Sequence, residues 1–327
     1  MSNFDSNNSD NKRTLTRLLT VDSKFKDEDN KKTTSHFQVT FPDRINKVKK
    51  MEIAEYSGPT AIRMLSSEQN NNFFTVTLKL TNGNTETKII ECPDTYRIER
   101  NIMNSTTVKN FITNINNQLL TAGGNFTQCS FKFDDDIEAS INLNDLVMDR
   151  TVSFVVDKGN APTVNEVILD FVTPKTGTNP LIFEKSLGYI LGFRNNTVST
   201  TTTIPVSNTN KFFIKAESVV DLNDFKYAYL IVDDFISNSE SNIITSEIKS
   251  QGNCSGSLRH GGNILGKIIY RNELNYNFHN RVISTPREYY GSVDIQKLKV
   301  ALVNEYGDYI DTKQLDWSFT LRLTSVV

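Results

Sequence analysis

Three cysteines in 327 residues, Cys92, Cys129 and Cys254, are too few and too widely spaced for a disulfide framework. They form no CxxC pair and leave one thiol over in any pairing, which is the usage of a reducing assembly compartment. A run of about 18 apolar residues is also missing, so no membrane span is expected. The opening stretch MSNFDSNNSDNK lacks the apolar centre of a secretory signal. Sequons at Asn104, Asn125 and Asn195 therefore carry little weight, because Asn-rich chains generate them by chance. There is no surplus of positive charge: the formal net charge is -2, and direct contact with nucleic acid is not expected.

Catalytic signatures are equally scarce. The histidines are His36, His260 and His279; none stands at HxxxH spacing and none neighbours a cysteine, so they propose no metal site. There is no GxSxG elbow. GGNILGK satisfies GxxxxGK with Gly261, Gly266 and Lys267, but Ile268 follows where a magnesium-holding Ser or Thr is needed. The residues after it, IIYRN, read as strand, whereas phosphate is held at a helix N-terminus. Asp134–Asp136 lacks the spaced oxygens of a calcium loop and reads as a solvated turn, as does Asp233-Asp234. The sequence predicts no enzyme, no cofactor and no metal.

What is present is ordinary soluble material, 37% hydrophobic and 23% charged, enough for a real core. Residues 1–12 read as a disordered arm, too polar to bury the surface that ordering requires. SHFQVTFP alternates, with Phe37, Val39 and Phe41 on one face, and Pro42 is expected to end that strand or mark an edge. INKVKKMEIAEYSGP then reads as a further strand. In NNFFTVTLKLTNGNTETKIIECP, Phe74, Val76, Leu78 and Leu80 alternate with polar residues up to an Asn-Gly turn, which predicts a hairpin. STTVKNFITNINNQLLTAGG is the best helix: Val108, Phe111, Ile112, Ile115 and Leu119 follow 3-4 spacing, and Gly123-Gly124 lies past the end.

The glycines of SLGYILGF suggest a tight turn with close backbone approach. NNTVSTTTTIPVSNTN is a polar loop or internal boundary. The remainder is strand-like again. Near the end, Leu298, Val300 and Leu302 share one face of a run. A second run carries Trp317, Phe319 and Leu321 on alternate positions, and these six residues are the expected core of two adjacent closing strands. Many short strands, one clear helix and no repeating βαβ unit predict a mainly β sandwich with a small α/β elaboration.

Four stretches in order carry a resemblance: LLTVDSKFKD, FQVTFPDRINKVKKMEIAEYSGP, SLGYILGFR and TPREYYGSVDIQKLKVALVNEYGDYIDTKQLDWSFTLRL. Together, from about Leu18 to Leu323, the chain resembles the penton and minor capsid proteins of nucleocytoplasmic large double-stranded DNA viruses. The resemblance implies a jelly-roll-type capsid domain over residues 13–327; within it, 92–210 reads either as an inserted subdomain or as a second small domain. It implies a structural role in the virion capsid, assembled in the host cytoplasm. The implied partners are the chain itself, as a pentamer at five-fold vertices, the major capsid protein and other minor capsid proteins. Two other readings stand beside the penton: a cementing protein beneath the capsomer lattice, and a jelly-roll module that binds a host glycan or anchors a fibre. Ahead of the closing runs, Arg287, Glu288, Tyr289, Tyr290 and Gly291 form an aromatic-charged clasp. Tyr and Arg are enriched at interface hot spots, which makes these five the candidate subunit contacts.

Overall fold

The computed structural model describes residues 13–28, 33–59, 62–96, 105–133, 151–157, 164–173, 181–200, 211–222, 226–236, 239–240, 264–270 and 281–327. The expected N-terminal arm, Asp134–Asp136, Cys254, His260, His279 and residues 201–210 of the polar loop lie outside the described residues.

The strands in chain order are β1 (Thr14–Asp22), β2 (His36–Ser57), β3 (Arg63–Leu65), β4 (Phe73–Leu80), β5 (Thr85–Glu91), β6 (Thr95–Tyr96), β7 (Cys129–Phe133), β8 (Thr151–Asp157), β9 (Val164–Asp170), β10 (Thr197–Ser199), β11 (Lys211–Val219), β12 (Tyr227–Asp233), β13 (Ser239–Glu240), β14 (Ile264–Ile269), β15 (Arg281–Ser284), β16 (Arg287–Val303) and β17 (Ser318–Val326). One long helix, α1 (Ser105–Ala122), lies between β6 and β7. The chain is mainly β, as its alternating patterns predict.

The chain divides into two compact units. The first gathers the described residues of Met1–Ile62, Lys226–Arg271 and Asn275–Val327; the second takes those of Arg63–Phe225. The stretch 92–210 lies within the second.

The first unit is an antiparallel sheet in the order β1-β17-β2-β16-β12-β14-β15, with β13 also paired to β16. Its centre is β2, 22 residues long, hydrogen-bonded to β17 on one side and β16 on the other. A straight strand of that length would span roughly 70 Å, against a usual ~20 Å. The register shifts three times against β16 and twice against β17; such bulges are where a strand bends.

One shift lies between the pairs Lys297↔Thr40 and Ile295↔Ile45. Pro42 falls inside it. A proline cannot donate to the ladder but is tolerated at a bulge, so Pro42 neither ends the strand nor marks an edge, and β2 runs on to Ser57. At the next shift Lys47 takes a left-handed φ of 56°, and its amide is held by Asp294 Oδ1 at 2.9 Å. The closing strands also differ from expectation: β16 and β17 are not adjacent, because β2 lies between them.

In the second unit, a four-stranded sheet (β10-β9-β4-β5), a three-stranded sheet (β11-β8-β7) and α1 share one core. The β4–β5 hairpin turns at Gly83, φ 86°. Val108, Phe111, Ile112, Ile115 and Leu119 form the buried stripe of α1, and its Asn116 side chain clamps the Phe131 backbone from both sides, at 2.9 Å to the carbonyl and 2.7 Å from the amide. Phe131 sits edge-on to Phe74 and Phe154. SLGYILGF makes a helical turn, Leu187–Ile190, capped by Ser186. The following Gly192 has φ 97°, and a Cβ there would lie 2.0 Å from the Ser218 carbonyl oxygen.

Candidate assembly surface

The clasp before the closing strands divides by face. Strand alternation turns Arg287 and Tyr289 inward, where both are buried, and turns Glu288 and Tyr290 outward; Gly291 is half-buried. Arg287 donates to Asp234 Oδ2 at 2.9 Å and to the Val232 carbonyl at 2.8 Å. The Tyr289 hydroxyl donates to the same Asp234 oxygen. Arg287 and Asp234 keep only 3% and 1% of their side-chain exposure, so this is a buried ion pair. Burial first, and then the Asp234 charge, push the Tyr289 phenol well above its ordinary range. The phenol therefore stays protonated and donates.

This arrangement corrects the reading of Asp233-Asp234 as a solvated turn: Asp234 is buried. A buried carboxylate needs a partner and further hydrogen bonds to stay charged, and Arg287 and Tyr289 supply them from 53 and 55 residues away. The one sequence signal was the acidic pair that follows the apolar run YAYLIV, of which the second member is the buried one.

The same aspartates shape the next turn. Asp233 Oδ1 accepts the Phe235 amide at 2.8 Å and Asp234 Oδ1 accepts the Ile236 amide at 3.0 Å. Phe235 has a left-handed φ of 61° and is 55% exposed. A bulky residue there is a conformational outlier, and sequence reasoning did not single it out. Its ring lies 5.9 Å from Lys297 Nζ, and Tyr290, 68% exposed, projects from the neighbouring stretch of β16. The clasp is thus an inner pair that fixes a turn, with aromatic side chains on the outside.

The residues expected in the closing core are all buried: Leu298, Val300, Leu302, Trp317, Phe319 and Leu321. Trp317 contacts Phe37, Tyr56 and Phe319 through its ring and donates from Nε1 to the Thr34 carbonyl at 2.6 Å.

The sites doubted from sequence hold no constellation among the described residues. Gly266 and Lys267 of GGNILGK lie within β14, and Lys267 Nζ rests 3.6 Å from the Tyr227 ring centroid. Gly261 lies outside the described residues. His36 stacks on Tyr309 at 4.2 Å; burial, then the Lys299 charge, hold its imidazole below the usual range. Cys92 and Cys129 are buried free thiols, both pushed up to about 12 by burial. The described residues contain no cluster of metal-ligating side chains and no helix long and apolar enough to cross a membrane.

No protein-family profile and no curated protein sequence matches the chain. Several solved structures are similar to it, two of them viral proteins. One is a chain of the Sputnik virophage, determined by cryo-EM, at 14% identity and a TM-score of 0.39, with 95% of this chain and 98% of that chain covered. The other is the crystal structure of the mavirus penton protein, at 8% identity and a TM-score of 0.42, with 95% and 99% covered.

Proposed function

We propose that this chain is a structural subunit of the icosahedral capsid of a large double-stranded DNA virus. Within it we assign the penton, a homopentamer at the five-fold vertices bordered by the major capsid protein and other minor capsid proteins. The observation that carries the reading is where the resembling stretches fall. LLTVDSKFKD, FQVTFPDRINKVKKMEIAEYSGP and the closing TPREYY…LRL supply β1, β2, β16 and β17, which stand side by side in one sheet. The first two strands and the last two lie more than 200 residues apart in sequence and are one object in space.

A ring of identical subunits needs two unlike, complementary faces on each. Glu288 and Tyr290 are the members of the clasp that can touch a neighbour, and Arg287 and Tyr289 act from beneath by holding the turn that carries Phe235. The role needs no catalytic group.

The test is a cryo-EM map of the intact virion. Density for this chain at the five-fold vertices is the expected result. Density only beneath the capsomers makes it a cementing protein instead. Absence from the shell overturns the reading and brings forward a binding module, which a glycan array would then probe.

A further inference from the structure

His36 opens β2 and pairs with Ala301 of β16, which puts the two side chains on one face of the sheet. Its ring is half-buried and lies flat on Tyr309, with centroids 4.2 Å apart and planes 21° from parallel. Tyr309 belongs to the loop after β16. That loop folds back, so that Tyr309 bridges to Val303 and the Ile310 amide donates to the Leu302 carbonyl at 3.0 Å. Three contacts tie the same stretch to the residues before His36. The Leu302 amide donates to the Ser35 carbonyl at 2.9 Å, the Thr34 and Thr312 hydroxyls meet at 2.5 Å, and Trp317 Nε1 reaches the Thr34 carbonyl.

His36 Nδ1 is buried and has no hydrogen-bond partner. A neutral ring can leave a bare lone pair there, whereas an imidazolium must carry an N–H at both nitrogens. A buried donor without an acceptor is costly. The new charge would also meet Lys299, two residues along β16 on the same face. The acids on the surrounding elements are Asp27, held by Gln38 and Thr40, Asp233, paired with Lys299, and Glu305, Asp308 and Asp311 of the loop. None of them accepts from Nδ1. Burial and then Lys299 act on the ring, both against the proton. The Tyr309 face would attract a cation, but such a contact at a partly exposed site is weaker than a stranded donor.

We propose that His36 is an acid-sensitive latch: neutral, it holds the loop Asn304–Thr312 against the start of β2, and protonated, it releases that loop. A free imidazole takes its proton near pH ~6.5. The latched ring resists it, so the latch is fully closed above that pH and weakens as pH falls below it. The device belongs to the single chain and does not depend on the capsid reading.

Hydrogen exchange on the full chain tests it. Corrected for the intrinsic rate, opening at the Ile310 amide should rise by up to about tenfold per pH unit below pH ~6.5, the limit for one proton. Amides at the centre of β17 should keep their protection, which separates release of the loop from unfolding. His36→Phe keeps the stacked ring and cannot take the proton, so its exchange should stay flat over that range. Lys299→Gln, at an exposed position, should shrink the total rise, because the closed ring then accepts the proton more readily. No rise in the wild type, an equal rise in His36→Phe, an undiminished rise in Lys299→Gln, or loss of β17 protection at the same pH overturns the proposal.

Discussion

Ser23 and Trp317 hold each other's backbone although they are 294 residues apart: the Ser23 amide donates to the Trp317 carbonyl at 3.0 Å and the Trp317 amide donates to Ser23 Oγ at 3.0 Å. The Ser23 hydroxyl in turn donates to Asp316 Oδ1 at 3.0 Å. Ser23→Ala strands a buried Trp317 N–H, and such a donor costs about 1–3 kcal/mol. Urea unfolding should show that loss with the slope unchanged; no change in midpoint would mean another acceptor takes the amide.

Arg287→Ala leaves the Asp234 carboxyl buried and without its cation. Breaking a buried pair from one side costs roughly 3–5 kcal/mol. Removing both charges, with Arg287→Met and Asp234→Asn, should recover much of that loss, because the unpaired charge and not the missing contact is the penalty. A double variant as unstable as Arg287→Ala alone would show that the geometry of the pair matters more than its charge.

Two glycines should respond differently to alanine. Gly83, φ 86°, has nothing within 4 Å of a new Cβ, so Gly83→Ala should cost about 1 kcal/mol of left-handed strain alone. At Gly192 the same methyl meets the Ser218 carbonyl at 2.0 Å, adding overpacking for about 3 kcal/mol or more in all. Equal losses in chemical denaturation would sink the distinction.

Alkali should unfold the protein through its thiols. In an unfolded chain both cysteines lose their protons near ~8.5, whereas Cys92 and Cys129 in the fold keep them up to about 12. Above pH ~8.5 the unfolded chain binds fewer protons, so stability falls as pH rises, by about 1.4 kcal/mol per pH unit for each thiol. It is fully present below that pH. Tyr56 and Tyr289, also raised by burial, add to the fall above pH ~10. The Cys92→Ala, Cys129→Ala variant should flatten the slope between pH ~9 and ~10; an unaltered slope there would assign the effect elsewhere.

The legible parts of this fold are the local ones. The 3-4 stripe from Val108 to Leu119 and the alternation from Phe74 to Leu80 are properties of neighbouring residues, and each element stands where its pattern puts it. The closing strands were legible in their burial but not in their pairing, because alternation says which face a residue takes and nothing about which strand lies beside it. β2 was read as two strands because the bulge that accommodates Pro42 is set by its register against β16, more than 200 residues away. The inner clasp was hidden for the same reason: Asp234 reads as one more surface acid until Arg287 and Tyr289 are folded against it. Phe235 carries no sequence mark at all, since a left-handed phenylalanine is imposed by the aspartates around it.

The central place of β2 also sets a timetable. It leaves the ribosome early, yet the strands on both sides of it, β16 and β17, are encoded at the far end of the chain. At ordinary translation speeds its last residue waits roughly 10–50 s for Arg287 to be made. During that interval a long strand of the first unit lacks both of its neighbours, while every residue from Arg63 to Phe225 is made before the interval ends and can complete the second unit. Newly made chains should therefore carry a finished second unit and an unpaired β2, the form most exposed to capture by chaperones or by one another.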